Sequence, residues 1–347
     1  MTVSLKGVDS VEFAVKSLKD AEKTMPTWGF EKIGEGKTKQ AYSSLWAQGD
    51  VKFLMSEGVD SKTPQAQFAK KHGDGIYNIT FLVDDARKTY ETVTKRGAKP
   101  LVDPKKESAG DGEVVTASVA SFGDVVHSFV SREGTTAFSH WLPADMDTAP
   151  KGFGAFEIDH LTCNLQVGQL DQVCGFYEKV FGFKETRFFD IRTTKTGLIS
   201  KVMQNPEGTV KVPINEPLGD KSQIQEFINQ YNGPGVQHLA LTTKDIVKSL
   251  DLYKKAGIPF LDVPDTYYEE VPKRVKNIRQ DLAVLQKHRV LVDGDSSGYL
   301  LQIFSQNVMG PFFIELIQRE GNKGFGEGNF RALFEAIERD QERRGVL

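Results

Sequence analysis

The chain has 347 residues, a formal net charge of −3 and an ordinary charged fraction of 26%. This balance gives no indication of binding to nucleic acid or to an anionic membrane surface. No apolar run reaches the ~18 residues of a membrane-spanning helix, and residues 1–9 lack the basic segment and apolar core of a signal peptide. Cys163 and Cys174 do not suggest a disulfide framework, so we expect a cytoplasmic protein. We expect it to bind neither nucleic acid nor a membrane.

In chain order, the first half reads as a strand, a helix and three strands, and then begins the same order again. Alternating apolar residues indicate the strands, and a glycine after the last helical residue indicates where a helix ends. The predicted strands are 8–15, a strand after Trp28-Gly29-Phe30, 41–46, 51–56, 76–83, 113–121 and 125–131. The predicted helices are 17–26, 64–71 and 86–96.

Residues 135–152 have weak periodicity and contain Pro143, Pro150 and Gly152, which is typical of a linker. The first half is then replayed. Phe181-Gly182-Phe183 matches Trp28-Gly29-Phe30, and residues 235–239 match residues 75–79. The predicted strands of the second half are 156–165, 185–190, 197–203, 210–214, 235–241 and 313–319, and its predicted helices are 167–180, 222–230 and 245–256.

This internal repeat predicts a duplicated α+β fold in which each half pairs two βαβββ units. Four strands do not close a core alone, so we expect two cupped, barrel-like sheets whose inner faces present side chains from several strands. The predicted organisation is an N-terminal domain over residues 1–134, a linker over 135–152 and a second domain over 153–347.

Three side chains in apolar strands of the second half indicate a metal site. Glu315 lies within Phe312-Phe313-Ile314-Glu315-Leu316, where a carboxylate costs several kcal/mol unless a cation or hydrogen bonds neutralise it. His160 and His238 occupy similar strands. Two histidines and one carboxylate from separate strands make the facial triad of non-haem Fe(II) oxygenases.

The two halves differ at the three positions that matter. Ser10, Asn78 and Ser128 stand opposite His160, His238 and Glu315. Satisfied core histidines and a surface glutamate would not be expected to disappear together from one half. We therefore predict a metal site in the second half and none in the N-terminal domain.

At this point the sequence resembles the 4-hydroxyphenylpyruvate dioxygenase family of the vicinal oxygen chelate superfamily. The resemblance covers essentially all of residues 153–347, and over 1–134 it rests mainly on the order of elements. The segments that carry it are Ile158-Asp159-His160-Leu161-Thr162, Pro213-Ile214-Asn215-Glu216-Pro217, Gly235-Val236-Gln237-His238, Leu300-Leu301-Gln302-Ile303-Phe304, Phe312-Phe313-Ile314-Glu315 and Gly324-Phe325-Gly326-Glu327-Gly328-Asn329-Phe330.

The resemblance implies an Fe(II) enzyme that uses its own substrate as the 2-oxo acid. The reaction would convert 4-hydroxyphenylpyruvate and O2 to homogentisate and CO2 in tyrosine catabolism, by decarboxylation, ring hydroxylation and side-chain migration. It also implies a homo-oligomer, either a dimer or a tetramer. Three protein ligands would leave three positions on iron for substrate and O2.

The resemblance further implies two groups of site residues. The predicted polar, catalytic group consists of Ser200, Asn215, Gln223, Gln237 and Gln302. The predicted substrate-binding group consists of Phe304, Phe313, Asn329 and Phe330. Strand alternation independently puts Gln302 with Phe304, and Phe313 with Glu315, on shared faces.

The C-terminal segment predicts an amphipathic helix. Its apolar stripe is Phe330, Leu333, Phe334 and Ile337, and its polar face is Glu335, Glu338, Arg339, Asp340 and Arg343. Gly324, Gly326 and Gly328 precede it as a predicted flexible hinge. The family uses such a helix as a lid, although periodicity alone would fit a simple packing helix equally well.

Three alternatives remain at this point. A 4-hydroxymandelate synthase would share the triad and substrate, but Asn215 and Phe330 favour ring hydroxylation. An extradiol dioxygenase would need additional histidine and tyrosine residues near the metal. A non-catalytic small-molecule-binding protein of the superfamily would not need His160, His238 and Glu315.

Overall fold

The computed structural model describes residues 3–192 and 196–330, together with Glu338 and Gly345. Its strands form two eight-stranded sheets with the orders β2-β3-β4-β1-β5-β8-β7-β6 and β10-β11-β12-β9-β13-β16-β15-β14. The two orders are equivalent, because adding eight to each strand number of the first sheet gives the second. The predicted duplicated α+β fold with two cupped sheets is therefore confirmed.

The strands of the first sheet are β1 (Gly7–Val15), β2 (Glu31–Lys37), β3 (Ala41–Gln48), β4 (Val51–Gly58), β5 (Gly75–Leu82), β6 (Pro100–Ala109), β7 (Gly112–Ala120) and β8 (Val126–Glu133). Those of the second sheet are β9 (Ala155–Asn164), β10 (Lys184–Arg192), β11 (Gly197–Gln204), β12 (Lys211–Leu218), β13 (Gly235–Thr243), β14 (Leu291–Asp295), β15 (Gly298–Phe304) and β16 (Phe313–Glu320). The helices are α1 (Leu18–Thr24), α2 (Pro64–His72), α3 (Ala86–Lys95), α4 (Leu170–Phe176), α5 (Gln223–Tyr231), α6 (Ile246–Lys255), α7 (Thr266–Arg274) and α8 (Leu282–His288).

The two halves share one hydrophobic core. Phe312, immediately before β16, packs edge to face against Phe13 of β1 with 5.3 Å between ring centroids, and its ring lies 6.0 Å from that of Trp28. All three rings are fully buried. The second sheet is thereby anchored in the core of the first, close to the strand that carries Glu315.

The helices and strands predicted from the sequence omit several elements, among them α8, β6, α7 and β14. Strand β6 is an edge strand with mostly exposed side chains, so apolar alternation does not mark it. Helix α7 contains Pro272, which ordinarily argues against a helix. Strand β14 has only five residues.

The predicted domain boundaries fall between β8, which ends at Glu133, and β9, which begins at Ala155. They stay predictions. Cys163 and Cys174 are buried free thiols. None of the helices in the described part of the chain has both the length and the hydropathy needed to cross a membrane.

Candidate metal centre and active site

The candidate centre lies on the concave face of three adjacent strands, β9, β13 and β16. Strand pairing puts His160 opposite Ala240, and Ala240 opposite Glu315. His160 and Glu315 therefore belong to one row across the sheet, with the small side chain of Ala240 between them. His238 lies two residues before Ala240 and projects from the same face. This register brings three distant parts of the sequence to one point.

The three side chains converge on a single oxygen. His160 Nε2 lies 3.2 Å from Glu315 Oε2, and His238 Nε2 lies 3.5 Å from the same atom. One ligand atom from each residue falls within 4.8 Å of the other two, and all three residues are buried. Among the described residues, no other group of three histidine, cysteine or acidic side chains has this geometry.

The other nitrogen of each imidazole has its own partner. His160 Nδ1 lies 2.9 Å from Asp159 Oδ1, and His238 Nδ1 lies 3.2 Å from Gln237 Oε1. Both partners are acceptors when Asp159 is ionised and Gln237 is in this orientation, so each Nδ1 carries the proton and donates it. Each Nε2 is then available as a ligand atom, the arrangement common for histidines that bind metals.

The ionisation of the cluster follows from this geometry. Burial alone would raise the pKa of Glu315, but the neighbouring charge and hydrogen bonds of His160 and His238 lower it to about 2. Burial acts to lower the pKa of His160, whereas Glu315 and Asp159 raise it above its ordinary value. Burial lowers the pKa of His238. The site thus presents the ionised carboxylate of Glu315 and the neutral imidazole of His238. His160 keeps its second proton to a higher pH than an ordinary histidine does.

A carboxylate and an arginine stand behind His160. Asp159 accepts hydrogen bonds from Arg319 Nε at 2.6 Å and from Arg319 Nη2 at 2.7 Å. Burial would raise the pKa of Asp159, but the hydrogen bonds of Arg319 and His160 bring it well below its ordinary value. Arg319 Nη1 also donates to the carbonyl oxygens of Asn322 and Gly324. The imidazole of His160 is therefore connected to the turn that leads into the C-terminal segment.

A chain of amides supports the carboxylate. Gln302 Nε2 donates to Glu315 Oε1 at 2.9 Å, and Asn329 Nδ2 donates to Gln302 Oε1 at 2.8 Å. The hydroxyl of Tyr267 lies 2.5 Å from Asn329 Oδ1. Because Oε1 of Glu315 is occupied in this way, its Oε2 is left to face the two histidines.

The cavity in front of the triad has a polar side and an aromatic side. Ser200 and Asn215 stand opposite each other on β11 and β12, and Gln223 begins α5. These residues, with Gln237 and Gln302, line the cavity together with Phe304, Phe313 and Phe330. Eight of the nine predicted polar and substrate-binding residues therefore surround one cavity with the triad.

Asn329 is the exception. It does not line the cavity and instead supports Gln302 from behind, with 1% of its surface exposed. The resemblance alone did not distinguish a residue that touches the cavity from one that holds such a residue in place. Its predicted contact with substrate is therefore replaced by an indirect, supporting position.

The C-terminal prediction is only partly covered by the described residues. Phe330 lies in a helix that begins at residue 327 and packs edge to face on Phe189 at 4.7 Å. Leu333, Phe334 and Ile337 lie outside the described residues, as do the other predicted polar-face residues except Glu338. That prediction is wrong for Glu338, which is 7% exposed and accepts a hydrogen bond from Thr196 at 2.5 Å.

The glycines before this helix have a packing role that the predicted flexible hinge does not describe. Gly326 has φ +79°, and a Cβ atom there would lie 1.7 Å from Gln302 Oε1. At Gly324 and Gly328 a Cβ atom would come within 2.7 Å of Glu327 and 2.4 Å of Arg274 and Asp293. A side chain at Gly326 would displace the amide that supports Glu315.

Sequence reasoning missed several contributors to the site. Phe325 lines the cavity and packs edge to face against His160 at 5.4 Å, but it lies in a glycine-rich turn where no periodicity marks it. Asp159 was visible only as a neighbour of His160, and its arginine partner is 160 residues away in the chain. Phe189, Ile191, Leu198 and Val202 complete one wall.

The first sheet repeats this framework without the ligands. Ser10 pairs with Thr80, and Thr80 pairs with Ser128, in the same register as His160, Ala240 and Glu315. The predicted correspondence of Ser10 and Ser128 with two of the triad residues is therefore confirmed. Asn78 likewise takes the place of His238, and it accepts a hydrogen bond from Ser128 at 2.9 Å.

Comparisons with known proteins agree with this geometry. Residues 2–141 match the family model "Hydroxyphenylpyruvate dioxygenase, HPPD, N-terminal", and residues 157–271 match the "Glyoxalase/Bleomycin resistance protein/Dioxygenase superfamily" model. The chain is 41% identical to Protein MelA of Shewanella colwelliana, over 99% of this chain and 98% of that protein. It is 38% identical to the 4-hydroxyphenylpyruvate dioxygenase of Legionella pneumophila, over 99% and 97% of the two chains.

A solved structure is also similar over nearly the whole length. A triple mutant of 4-hydroxymandelate synthase from Streptomyces coelicolor superposes with a TM-score of 0.86 at 28% identity, covering 98% of this chain and all of that one. The similarity extends through the N-terminal half, where the sequence analysis found mainly a matching order of elements. These matches show that the chain belongs to the 4-hydroxyphenylpyruvate dioxygenase family.

Proposed function

We propose that this protein converts 4-hydroxyphenylpyruvate and O2 to homogentisate and CO2, with Fe(II) held by His160, His238 and Glu315. The observation that carries the proposal is the convergence of both Nε2 atoms on Glu315 Oε2 in a buried cavity. Two histidines and one carboxylate on one side of an ion are the donor set of non-haem Fe(II) oxygenases, and they leave positions open for a chelating substrate. Enzymes of this name in Legionella and Pseudomonas share 38% of their residues with the chain.

The donor set fits a divalent ion on electrostatic grounds as well. Glu315 is 1% exposed, and a buried carboxylate needs a compensating cation. When bound, Fe(II) would supply the redox chemistry that activates O2 together with the 2-oxo acid of the substrate. The protein's contribution is to hold the three donors on one side, to fix the substrate and to keep water away.

The cavity walls suit an aromatic substrate with two polar ends. The 2-oxo acid belongs at the triad, next to Gln237 and Gln302. The phenol hydroxyl then reaches toward Ser200, Asn215 and Gln223, which offer both hydrogen-bond donors and acceptors. Two polar groups at fixed positions orient the ring between them.

The aromatic residues set the plane of the ring. Phe313 stacks on His238 with 4.6 Å between ring centroids and 19° between planes, so its position depends on a metal ligand. Phe330 lies in the helix that begins at residue 327, and Phe189 supports it by packing edge to face. Phe304 and Phe325 cover the remaining apolar surface and exclude water.

The alternative with specific support is a 4-hydroxymandelate synthase, because a variant of such an enzyme superposes on 98% of this chain. It would use the same substrate and oxidise the benzylic carbon. Asn215 and Phe330 favour hydroxylation of the ring over oxidation of the benzylic carbon, as the sequence predicts. A non-catalytic binding protein of the superfamily would have no need for the buried triad.

Product identification tests the function directly. The purified protein would be loaded anaerobically with Fe(II) and given 4-hydroxyphenylpyruvate and O2, and the product identified by mass spectrometry and NMR. Homogentisate with equimolar CO2 is expected, and 4-hydroxymandelate as main product would overturn the assignment. His160→Ala, His238→Ala and Glu315→Ala should each lose Fe(II) and turnover while the fold remains.

We further propose that the protein is cytoplasmic and forms a homo-oligomer, either a dimer or a tetramer. Sedimentation of the purified protein tests the oligomeric state.

A further inference from the structure

We propose that the concave face of the first sheet is a second ligand site, which binds a small aromatic zwitterion through its ammonium group. This face encloses a cavity of about 940 Å³, lined by residues from β1, β5, β7 and β8 and by part of the 135–152 segment. Neither the triad nor the proposed reaction uses it. Three features of its lining indicate the ligand. They are a carboxylate without an ion-pair partner, an amide oxygen without a hydrogen-bond partner, and a set of aromatic and lysine side chains nearby.

The carboxylate is that of Glu12. It stands opposite Asn78 on β5, at the position that Thr162 occupies beside His238 in the second sheet. Its oxygens accept hydrogen bonds from Gln65 Nε2 at 3.2 Å and Asn78 Nδ2 at 3.3 Å. Both donors are neutral, and so is the hydroxyl of Ser56, which also hydrogen-bonds to Glu12. Within residues 3–192 and 196–330, no lysine, arginine or histidine lies within 4.0 Å of Glu12, so its charge is not compensated there.

The other acidic residues of this cavity are paired. Asp9 accepts from Arg132 Nη2 at 3.2 Å, and Glu107 lies 2.9 Å from His140 Nδ1 and also contacts Lys105. The contrast singles out Glu12 as the anion to which a bound cation would contribute most.

Gln65 gives a second indication. Its side chain lines the cavity from α2, it is 8% exposed, and its Oε1 has no hydrogen-bond partner. The orientation of the amide is determined by Glu12, because an ionised carboxylate requires the Nε2 donor to face it. The unpartnered acceptor therefore lies beside the uncompensated carboxylate. A primary ammonium, with three N–H donors, satisfies both.

The rest of the lining suggests the body and the opposite end of the ligand. Tyr77, Phe138 and Trp141 offer aromatic surface, which packs favourably on apolar rings and on cations. Lys37 and Lys39 also line the cavity and would attract a carboxylate while disfavouring a simple amine. A molecule with both charges and a ring matches all three features.

The test uses three matched probes on the full-length, iron-loaded protein. L-phenylalanine carries both charges, 2-phenylethylamine lacks the carboxylate and 3-phenylpropionate lacks the ammonium group. Isothermal titration should show the tightest binding for L-phenylalanine, weakened at least about tenfold by loss of either charge. Equal binding by 2-phenylethylamine would overturn the zwitterion assignment, and no binding by either amine would overturn the site.

Variants locate the binding. Glu12→Gln and Gln65→Leu should each weaken L-phenylalanine binding by at least about tenfold, whereas the matched exposed changes Glu31→Gln and Gln67→Leu should not. Oxygenase turnover should be the same in all four variants, since none lies in the second sheet. L-phenylalanine binding that survives in both Glu12→Gln and Gln65→Leu would assign it to another site and overturn the proposal.

Discussion

Arg319 holds the carboxylate of Asp159 with two hydrogen bonds, of 2.6 and 2.7 Å, at the point where that carboxylate meets His160. The same arginine binds two backbone carbonyls of the turn before the C-terminal helix. The orientation of one proposed metal ligand and the position of this turn therefore depend on one guanidinium group.

Arg319→Gln should weaken Fe(II) binding by about 10- to 100-fold, the usual cost of losing a group that orients a ligand. Asp159 would remain as a buried charge and His160 would lose its fixed orientation. Competition with a chromophoric chelator measures the affinity.

The first sheet supplies a matched control for this variant. Arg132 pairs with Asp9 in the equivalent place, but the next residue is Ser10 and no histidine depends on the pair. Arg132→Gln should lower the thermal stability and leave Fe(II) affinity unchanged. An equal loss of affinity in both variants would mean that the effect of Arg319 is general destabilisation.

Ala240→Leu should reduce the Fe(II) content of the purified protein to a small fraction of the parent value. Ala240 lies between His160 and Glu315 in one row and is completely buried, so a larger side chain pushes the donors apart. Overpacking should cost about 1–3 kcal/mol of stability without unfolding the chain. Elemental analysis and circular dichroism provide the two readouts. Thr80→Leu, at the equivalent place in the first sheet, is the control that should retain full iron content.

Fe(II) affinity should fall as the pH is lowered below neutral. Burial favours neutral His160, but Glu315 and Asp159 outweigh it and raise the pKa, so the proton remains bound to a higher pH than in a free histidine. A metal ion must displace this proton, and protons compete more strongly as their concentration rises. Affinity measured across the neutral and mildly acidic range tests this. A constant affinity over that range would show that the binding form of His160 is already deprotonated.

Phe330→Ile should shift part of the product from homogentisate to 4-hydroxymandelate. The ring loses one aromatic wall, and a displacement of about 1 Å can change relative rates by roughly a hundredfold. The product ratio with excess O2 is the measurement. Phe189→Leu removes the edge-to-face support of Phe330 but keeps an apolar side chain in the cavity wall, so it should give a smaller shift. If Phe330→Ile leaves the ratio of homogentisate to 4-hydroxymandelate unchanged, the Phe330 ring only packs and does not direct the reaction.

Glu12→Gln should raise the melting temperature at neutral pH, with little gain near pH ~4. Burial raises the pKa of Glu12, although hydrogen bonds with Ser56, Gln65 and Asn78 oppose it. The folded chain therefore holds this proton where the unfolded chain, with an ordinary value of 4.5, has lost it. Ionisation costs stability, and the cost grows as pH rises from the unfolded to the folded pKa. Thermal melts at both pH values test the sign.

The triad was predictable because strand alternation and the internal repeat each constrain single positions. Glu315 is unusual within its own strand, and its counterpart in the repeat is Ser128. The supporting residues were not predictable in the same way. Arg319 and Asp159 are ordinary surface residue types in sequence, and only the pairing of distant strands brings them together. Glu338 followed the helical period yet is buried, because its partner Thr196 belongs to another part of the fold.

The burial of Phe312 against Phe13 and Trp28 has a consequence for how the two halves could diverge in evolution. Two neighbouring rings contact different halves of the chain. Phe312 packs in the core of the first half, and Phe313 stacks on His238 of the second half. Changes to the concave face of the first half would leave these contacts intact, whereas changes at Phe13 or Trp28 would reach the strand that carries Glu315. Selection for oxygenase activity would thus preserve the core of the N-terminal half, although that half supplies none of the three triad residues. Its concave face would be free to evolve a different binding function.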